Sequence, residues 1–408
     1  MGDSPQRRGW VGAAVLEYER RKHMKTLILG AGLQGRACAF DLLEHTDASV
    51  TLTDAVPVKL PDFLTVHEGK RLTVEQLDAK NEDALREAIK GADAVMNALP
   101  YYFNFSVTKL AVEVGTHYAD LGGNTKIVQE QKTLHDEAVA KGLSIMPDCG
   151  LAPGMANILA AEGVNRFERA RSAKLFVGGL PQEPKPPLNY QVVYSLEGAL
   201  DYYTTLSWII RGGEPTQIEA LTELECVDFP PPLGTLEAFH TAGGLSTMPW
   251  TFADKVDVME YKTMRYPGHV HIMKAIRDLG LLDLEPVEVG GVKVRPRDVF
   301  IARVDRDLRI PDAPDVVALK VVVEGQRVDG PGRVTFRLLD GYDVENGMSA
   351  MNRTTGFSLA ITGYMQANGE IENVGVQCAY EAMPYRPYAD ALRQRGVDIV
   401  EVEELLLA

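Results

Sequence analysis

Residues Gly30–Gly35 read GAGLQG, a GxGxxG spacing at the end of the apolar run KTLILG and ahead of Leu33, Ala37, Phe40 and Leu43 at helical intervals. In a strand–turn–helix setting each glycine has a task. Gly30 permits a tight turn, Gly32 lets backbone approach a pyrophosphate, and Gly35 allows close packing of helix on strand. Leu33 and Gln34 complete the loop, whose helix N-terminus would face the diphosphate. The alternative is an incidental glycine-rich turn. A second apolar segment, SVTLTD, ends at Asp54. A carboxylate there accepts hydrogen bonds from both ribose hydroxyls of an adenosine and repels a 2′-phosphate, which favours NAD over NADP; otherwise Asp54 is an ordinary turn residue. Asp78, after the third apolar segment, could meet an adenine edge or cap a helix.

The elements that must position this loop alternate. Segments 25–30, 49–54, 72–81, 93–100, 117–123 and 143–150 read as strands, with helical periodicity at 33–43, 82–92, 107–114 and 126–142. That rhythm predicts an α/β fold, a doubly wound parallel-sheet Rossmann domain over 24–150. Ligands of such sheets bind beyond the carboxyl ends of the strands, which assigns Asn97, Ala98 and Leu99 to the cofactor site. After Gly150 the rhythm changes. Residues 152–164 read as a helix with Pro153 in its first turn. A β-rich stretch follows from Lys174, and 318–340 reads as a hairpin turning at DGPG. Residues 151–340 are therefore expected to form an inserted mixed α+β substrate and oligomerisation domain. Residues 341–408 are expected to return to the Rossmann domain, with GVDIVEVEELL joining its sheet. Residues 1–23 read as a disordered extension, because the short apolar piece Trp10–Leu16 is followed at once by charges and makes a poor secretory signal.

A chain of 408 residues with 45% hydrophobic and 24% charged content is long enough for two or three domains with real cores. Its formal net charge of -15 argues against nucleic acid or an anionic membrane as partner. Four dispersed cysteines form no CxxC pair, so the expected compartment is the reducing cytoplasm. A homodimer or homotetramer is expected, through the β-rich domain.

Beyond the glycine loop, the blocks NALPYYFN (97–104), YADLGGN (118–124), PDCGLAPGMANILA (147–160), GGLP (178–181), YSLEGALDYY, MEYKTMRYPGH (259–269) and RTTGFSLAITG (353–363) resemble the saccharopine dehydrogenase-like family, and within it the lysine 6-dehydrogenases. The resemblance spans nearly all of 25–400. It implies a Rossmann domain around an inserted mixed domain, and hydride transfer to NAD from a carbon bearing an amine. For lysine the ε-carbon would give allysine, which closes to a piperideine carboxylate. A saccharopine-type or carboxypolyamine-type reaction on a secondary amine is the alternative, and a non-catalytic NAD-binding regulator a third.

Such chemistry needs a carboxylate clamp, an ammonium anchor and a proton acceptor. In YKTMRYPGH, strand alternation places Tyr261, Thr263 and Arg265 on one face and Lys262, Met264 and Tyr266 on the other. Arg265 is the candidate clamp, since guanidinium binds carboxylate bidentately. A second clamp would favour the secondary-amine reading, with Arg211 and Arg353 available. His269 is the first-choice proton acceptor and Lys262 the weaker one; a structural, hydrogen-bonded His269 is the alternative. Asp120 could neutralise a cationic nitrogen or relay a proton, or simply bond nearby backbone N–H groups. Tyr101 could line the nicotinamide pocket. Cys149, at the end of the sixth strand, is also assigned to the substrate site, as a small packing residue rather than a nucleophile, since hydride transfer needs none. No metal is expected, because His269 and His271 have no third ligand at a useful spacing.

Overall fold

The computed structural model describes residues 24–193, 195–310, 313–328 and 330–406. The expectation for residues 1–23 lies outside them. Two sheets organise the chain. In the first, β1 (Lys25–Leu29), β2 (Ser49–Asp54), β3 (Leu72–Gln76), β4 (Ala94–Asn97), β5 (His117–Asp120) and β6 (Ser144–Met146) run parallel. The apolar runs of β1, β4 and β6 are buried, as strands covered on both faces require, while β3 at the edge buries Leu72 and exposes Glu75 and Gln76. A late segment, Gly375–Val376, pairs beside β6 and gives the order 375–376, β6, β5, β4, β1, β2, β3. The order reverses between β1 and β4, so a crevice opens there, beyond Leu29 and Asn97.

The second sheet begins with β7 (Arg169–Pro181), β8 (Ser207–Arg211), β9 (Glu214–Ile218), β10 (Glu225–Asp228), β11 (Thr235–His240) and β12 (Val256–Arg265). A detached hairpin, β13 (Val287–Val289) with β14 (Val292–Val294), precedes β15 (Asp315–Arg327) and β16 (Gly330–Gly341). The sheet is mixed: β12 and β7 are parallel, and its other pairs are antiparallel. The β15–β16 pairing runs to Arg327↔Gly330, so Gly330–Gly332 of the expected DGPG turn already belong to the strand.

Three expectations are corrected. The segment 126–142 is two helices, Thr125–Lys132 and His135–Ala140; tightened bonds from Thr133 and Leu134 to the carbonyls of Glu130 and Gln131 end the first. The helix after Gly150 starts at Met155, with Pro153 before it, because Gly154 has φ +136°, outside helical space. The final strand, Val400–Leu405, does not join the first sheet. It pairs antiparallel with β16 in the second. Its Glu401, Glu403 and Glu404 suit an exposed edge, where Arg166, Arg327 and Arg333 meet them.

The C-terminal part nonetheless closes the first unit. The helix Ala350–Ala367 packs on the helix Leu33–His45 and on β4 and β5. At Gly356 an added Cβ would stand 2.6 Å from the Ala37 Cβ and 2.9 Å from the Gln34 carbonyl, so only glycine allows this crossing. The start of the same helix is held from the other sheet: the buried Asp315 carboxylate, at the head of β15, accepts the N–H groups of Ala350 (2.6 Å) and Met351 (3.0 Å). No described helix is long and apolar enough to cross a membrane.

A buried ion pair tests this docking. Arg395 Nε lies 2.5 Å from Oδ1 of Asp41, which is 0% exposed. Arg395→Leu leaves that buried carboxylate with only the partly exposed His45 ring, 3.4 Å away, in place of its guanidinium. The expected loss is about 3–5 kcal/mol of unfolding free energy, read by urea denaturation. A loss under about 1 kcal/mol would mean the C-terminal segment undocks freely.

Candidate active site

The glycine loop is built by the ends of β1 and β2. Gly30 N–H donates to the Thr53 carbonyl (2.9 Å), and Ala31 N–H to Asp54 Oδ2 (2.9 Å). At Gly35 a Cβ would sit 1.8 Å from the Gly30 carbonyl oxygen, so this glycine is demanded by packing inside the chain. Gly32 is different. Its φ of -72° suits any residue, and an added Cβ would meet nothing within 4 Å. The space it keeps lies at the start of the helix Leu33–His45, whose first N–H groups have no side-chain cap. That is the room and the polarity a diphosphate needs. The residues present therefore fit a dinucleotide.

A cavity of about 730 Å³ extends from this loop to the second sheet. Gly32, Leu33 and Gln34 form one side, with Ala98, Leu99, Pro100 and Tyr101 beyond β4. Leu121–Gly123 and Gly150–Pro153 follow, and Met351 and Thr355 come from the helix that Asp315 holds. The far wall is Tyr261, Thr263 and Arg265 of β12, the face that alternation predicts. The helix Leu196–Thr204 adds Glu197, Asp201 and Tyr202, and Arg309 closes the rim.

Arg265 is buried, with its guanidinium 4.8 Å from the centroid of the Tyr190 ring and Nη1 donating to the Met264 carbonyl (2.9 Å). Burial pushes the Tyr190 hydroxyl up to about 12, while the positive charges of Arg265 and Arg309 pull it down. Both guanidiniums thus act on one phenol. Arg309 is paired with Asp305 at 2.8–3.1 Å. Tyr101 is held protonated well past neutrality, first by burial and then by the carboxylates of Asp201 and Glu197.

Several expected residues stand elsewhere. His269 is buried outside the cavity wall. Its Nδ1 bonds the Leu188 carbonyl (2.9 Å) and its Nε2 the Tyr203 hydroxyl (3.1 Å), with the Phe239 ring stacked at 6.3 Å. Burial, then the charge of Arg265, drives it down to about 3, so it is neutral and fully engaged rather than poised to take a proton. Lys262 points to the opposite face of β12, onto Glu225 (2.6 Å) and the Glu223 carbonyl (2.7 Å). Asp120 is fully buried and accepts from Gly122 N–H (2.7 Å), Asp148 N–H (3.3 Å) and Gln131 (2.6 Å); it shapes the loop that lines the cavity. The Cys149 thiol donates to the Met146 carbonyl, and burial raises it well above the usual thiol range. Asn97 sits behind the wall, donating to Asn104 and the Tyr118 hydroxyl and accepting Leu99 N–H; Ala98 and Leu99 are the cavity surface. Asp78 bonds Lys80 N–H in an exposed turn, and Asn81 caps the helix that follows. Arg211 is paired with Glu223 and Glu260, and Arg353 with Asp340 and Asp343, both away from the cavity.

Sequence reading missed Arg309, Glu197, Asp201 and Tyr202. The last three lie in the quoted YSLEGALDYY block, where their i, i+4 and i+5 spacing was a helix-face signal; Arg309 carried none. It also missed Asp148, buried with φ +62° and raised to about 7, first by burial; Ser246 donates to it. Among the described residues, Glu223, His240 and Glu260 have the spacing of metal ligands, but Arg211 and Lys174 already meet both carboxylates or their neighbours.

Residues 150–397 match the family model described as the saccharopine dehydrogenase C-terminal domain, and residues 26–146 that of the saccharopine dehydrogenase NADP binding domain. Over 439 residues the chain is 23% identical to saccharopine dehydrogenase (NADP(+), L-glutamate-forming) of Saccharomyces cerevisiae, covering 90% of this chain and 96% of that protein. It is 20% identical to the mitochondrial alpha-aminoadipic semialdehyde synthase of Rattus norvegicus over 91% of this chain, and spans only 47% of that protein. Apo saccharopine dehydrogenase (L-Glu forming) from Saccharomyces cerevisiae superposes with a TM-score of 0.74 at 19% identity, over 93% of this chain and all of that one, which fixes the shared fold.

Two measurements follow from the site geometry. Gly32→Val should weaken dinucleotide binding at least tenfold by calorimetry and leave the melting temperature nearly unchanged, since its side chain meets only ligand space; a large loss of stability would put Gly32 in the core instead. His269 is neutral in the fold and free to protonate when unfolded, so the unfolded chain binds the extra proton. Its contribution is intact above pH 6.5 and is lost as pH falls from there toward about 3. By pH 5 the loss is roughly 2 kcal/mol. Denaturation of His269→Gln against pH should show a shallower acid decline than the wild type; parallel curves would sink the assignment.

Proposed function

The chain belongs to the saccharopine dehydrogenase family, and from that premise we propose that it is a nicotinamide-dependent oxidoreductase acting on the secondary amine that joins a lysyl ε-carbon to a dicarboxylic amino acid, as in saccharopine. The observation that carries this reading is the presence of two arginines, Arg265 and Arg309, on the wall of the cavity that starts at the glycine loop. Two guanidiniums suit a substrate with carboxylates at separate ends. A single-carboxylate substrate needs only one.

The loop residues Gly32–Gln34 would hold the diphosphate, and Ala98–Tyr101 the nicotinamide end. When bound, that cofactor supplies the hydride acceptor. The chain's own residues do the rest. Arg265 fixes a carboxylate deep in the cavity, and Arg309 takes a second at the rim. The Tyr101 hydroxyl, kept protonated, donates a hydrogen bond to an oxygen or a neutral nitrogen beside the reacting carbon. Tyr202, Tyr261 and Thr263 line the same space. Oxidation of the C–N bond to C=N, followed by addition of water and cleavage, yields an aldehyde and a free amino acid, with one proton released.

Oxidation of lysine itself at the ε-carbon is the second reading. It is favoured by the Arg309–Asp305 pairing at 2.8–3.1 Å, which, if kept on binding, leaves Arg265 alone for a single carboxylate. For the cofactor we favour NAD, although the relatives carry NADP in their names. Asp54 has two carboxylate oxygens at the end of β2, bonded among the described residues to Ala31 N–H (2.9 Å) and Val56 N–H (3.2 Å), with acceptor capacity to spare for ribose hydroxyls. A 2′-phosphate would meet that charge, and the adjacent Ala55 and Val56 offer no cation.

Reduction of NAD and NADP with saccharopine, lysine, ornithine and diaminopimelate separates the readings. Turnover of saccharopine, with Arg309→Met lowering kcat/KM at least tenfold, is the expected result. Lysine turnover with inert saccharopine would install the second reading, and no turnover of any amine would remove both. With the active amine, NAD should be preferred over NADP at least tenfold, and Asp54→Ser should narrow the gap. Equal use of both cofactors by the wild type would demote Asp54 to a turn residue.

A further inference from the structure

We propose that Glu197 is the ammonium site of the cavity: its carboxylate holds the α-ammonium of the substrate's amino-acid head at the cavity mouth. This rests on the reading that the substrate is a lysine-derived amino acid.

The helix Leu196–Thr204 starts at Ser195, whose Oγ accepts Gly198 N–H (3.1 Å). One of its faces carries Glu197 and, one turn on, Asp201 into the cavity wall. The two carboxylates have different surroundings. Asp201 meets Arg297 at 2.5 Å. Arg297 is itself 3% exposed and fixed by the Leu282 carbonyl (2.9 Å) and Thr204 (3.0 Å). That negative charge is matched within the fold. Glu197 forms no ion pair with Lys, Arg or His among the described residues. It is exposed and lines the same cavity as Tyr101, whose hydroxyl is raised in part by its charge.

The cavity mouth therefore holds a guanidinium, Arg309, and a carboxylate whose charge the protein does not match. An α-amino acid carries a carboxylate and an ammonium on one carbon, so it supplies the complement of both. A carboxylate at a water-exposed rim suits recognition of a permanent cation better than removal of a proton, for which a desolvated group with a raised pKa is needed. The competing explanation is a solvated acidic residue that favours the first turn of its helix. It predicts no effect on ligands.

Calorimetry with L-lysine and with 6-aminohexanoate, both in the presence of NAD, distinguishes these. The two ligands share the carboxylate and the ε-ammonium and differ in the α-ammonium. The wild type should bind lysine at least tenfold more tightly, and Glu197→Gln should abolish most of that difference by weakening lysine alone. NAD affinity and melting temperature should stay unchanged, and Glu197→Asp should recover part of the preference. Equal weakening of both ligands would place Glu197 on the reacting amine or in the scaffold, and no weakening would leave it a solvated helix residue; either result overturns the proposal. A wild type that binds neither ligand and does not oxidise saccharopine would instead refute the substrate reading, and this role with it.

Discussion

A single buried carboxylate ties the two sheets into one site. Asp315 begins the antiparallel pairing of β15 with β7 in the second sheet, yet its oxygens are spent on the first two N–H groups of the helix Ala350–Ala367. Those donors have no partner inside the helix, and Ser349 accepts the next one, from Asn352. Capping of this kind also sets a negative charge against the positive end of the helix. The same helix lies along the glycine-loop helix, with Gly356 at the crossing, and sends Met351 and Thr355 into the cavity. The cofactor loop, the cavity wall and the second sheet are thus located relative to one another by one short chain of contacts.

Charge then divides the cavity wall. Most of the ionic groups near it are satisfied by the fold: Asp201 by Arg297, Arg309 by Asp305, Asp120 by three donors. For Asp120, which is fully buried, this is necessary, because an unmatched charge away from water costs several kcal/mol. His269 follows the same logic by another route. Ringed by Tyr190, Tyr203 and Phe239 and near Arg265, it avoids the cost by staying neutral. Its proximity in sequence to Arg265 placed it near the site, while its helix turned it behind the wall.

What was legible in the sequence was local. The GAGLQG turn, the alternation of strands and helices up to Met146, and the split faces of β12 all follow from spacings of two to five residues. What was not legible depends on distant partners. Whether Val400–Leu405 adds to the first or the second sheet turns on three glutamates finding Arg166, Arg327 and Arg333, far apart in the chain. Arg309 follows a charged helix with no pattern to mark it, and only the tertiary fold sets it near the phenol that Arg265 also touches. Asp120 shows the limit in the other direction: its place at the end of a strand was right, but its oxygens are used by the loop it organises.

The strand β12 shows how recognition and stability can share one segment. Successive side chains point to opposite faces, so a ten-residue strand offers two independent sets of positions. Tyr261, Thr263 and Arg265 face the cavity. Lys262 serves the opposite side, where Glu225 and the Glu223 carbonyl hold it, and Met264 packs with Phe176, Leu236 and Ala238. Parallel pairing to β7 and antiparallel pairing to β11 fix the register on both edges. A slip of one residue would exchange Arg265 for Met264 in the cavity and bury the guanidinium in an apolar cluster. The position of Arg265 is therefore enforced by the opposite side of the strand, whose side chains do not line the cavity.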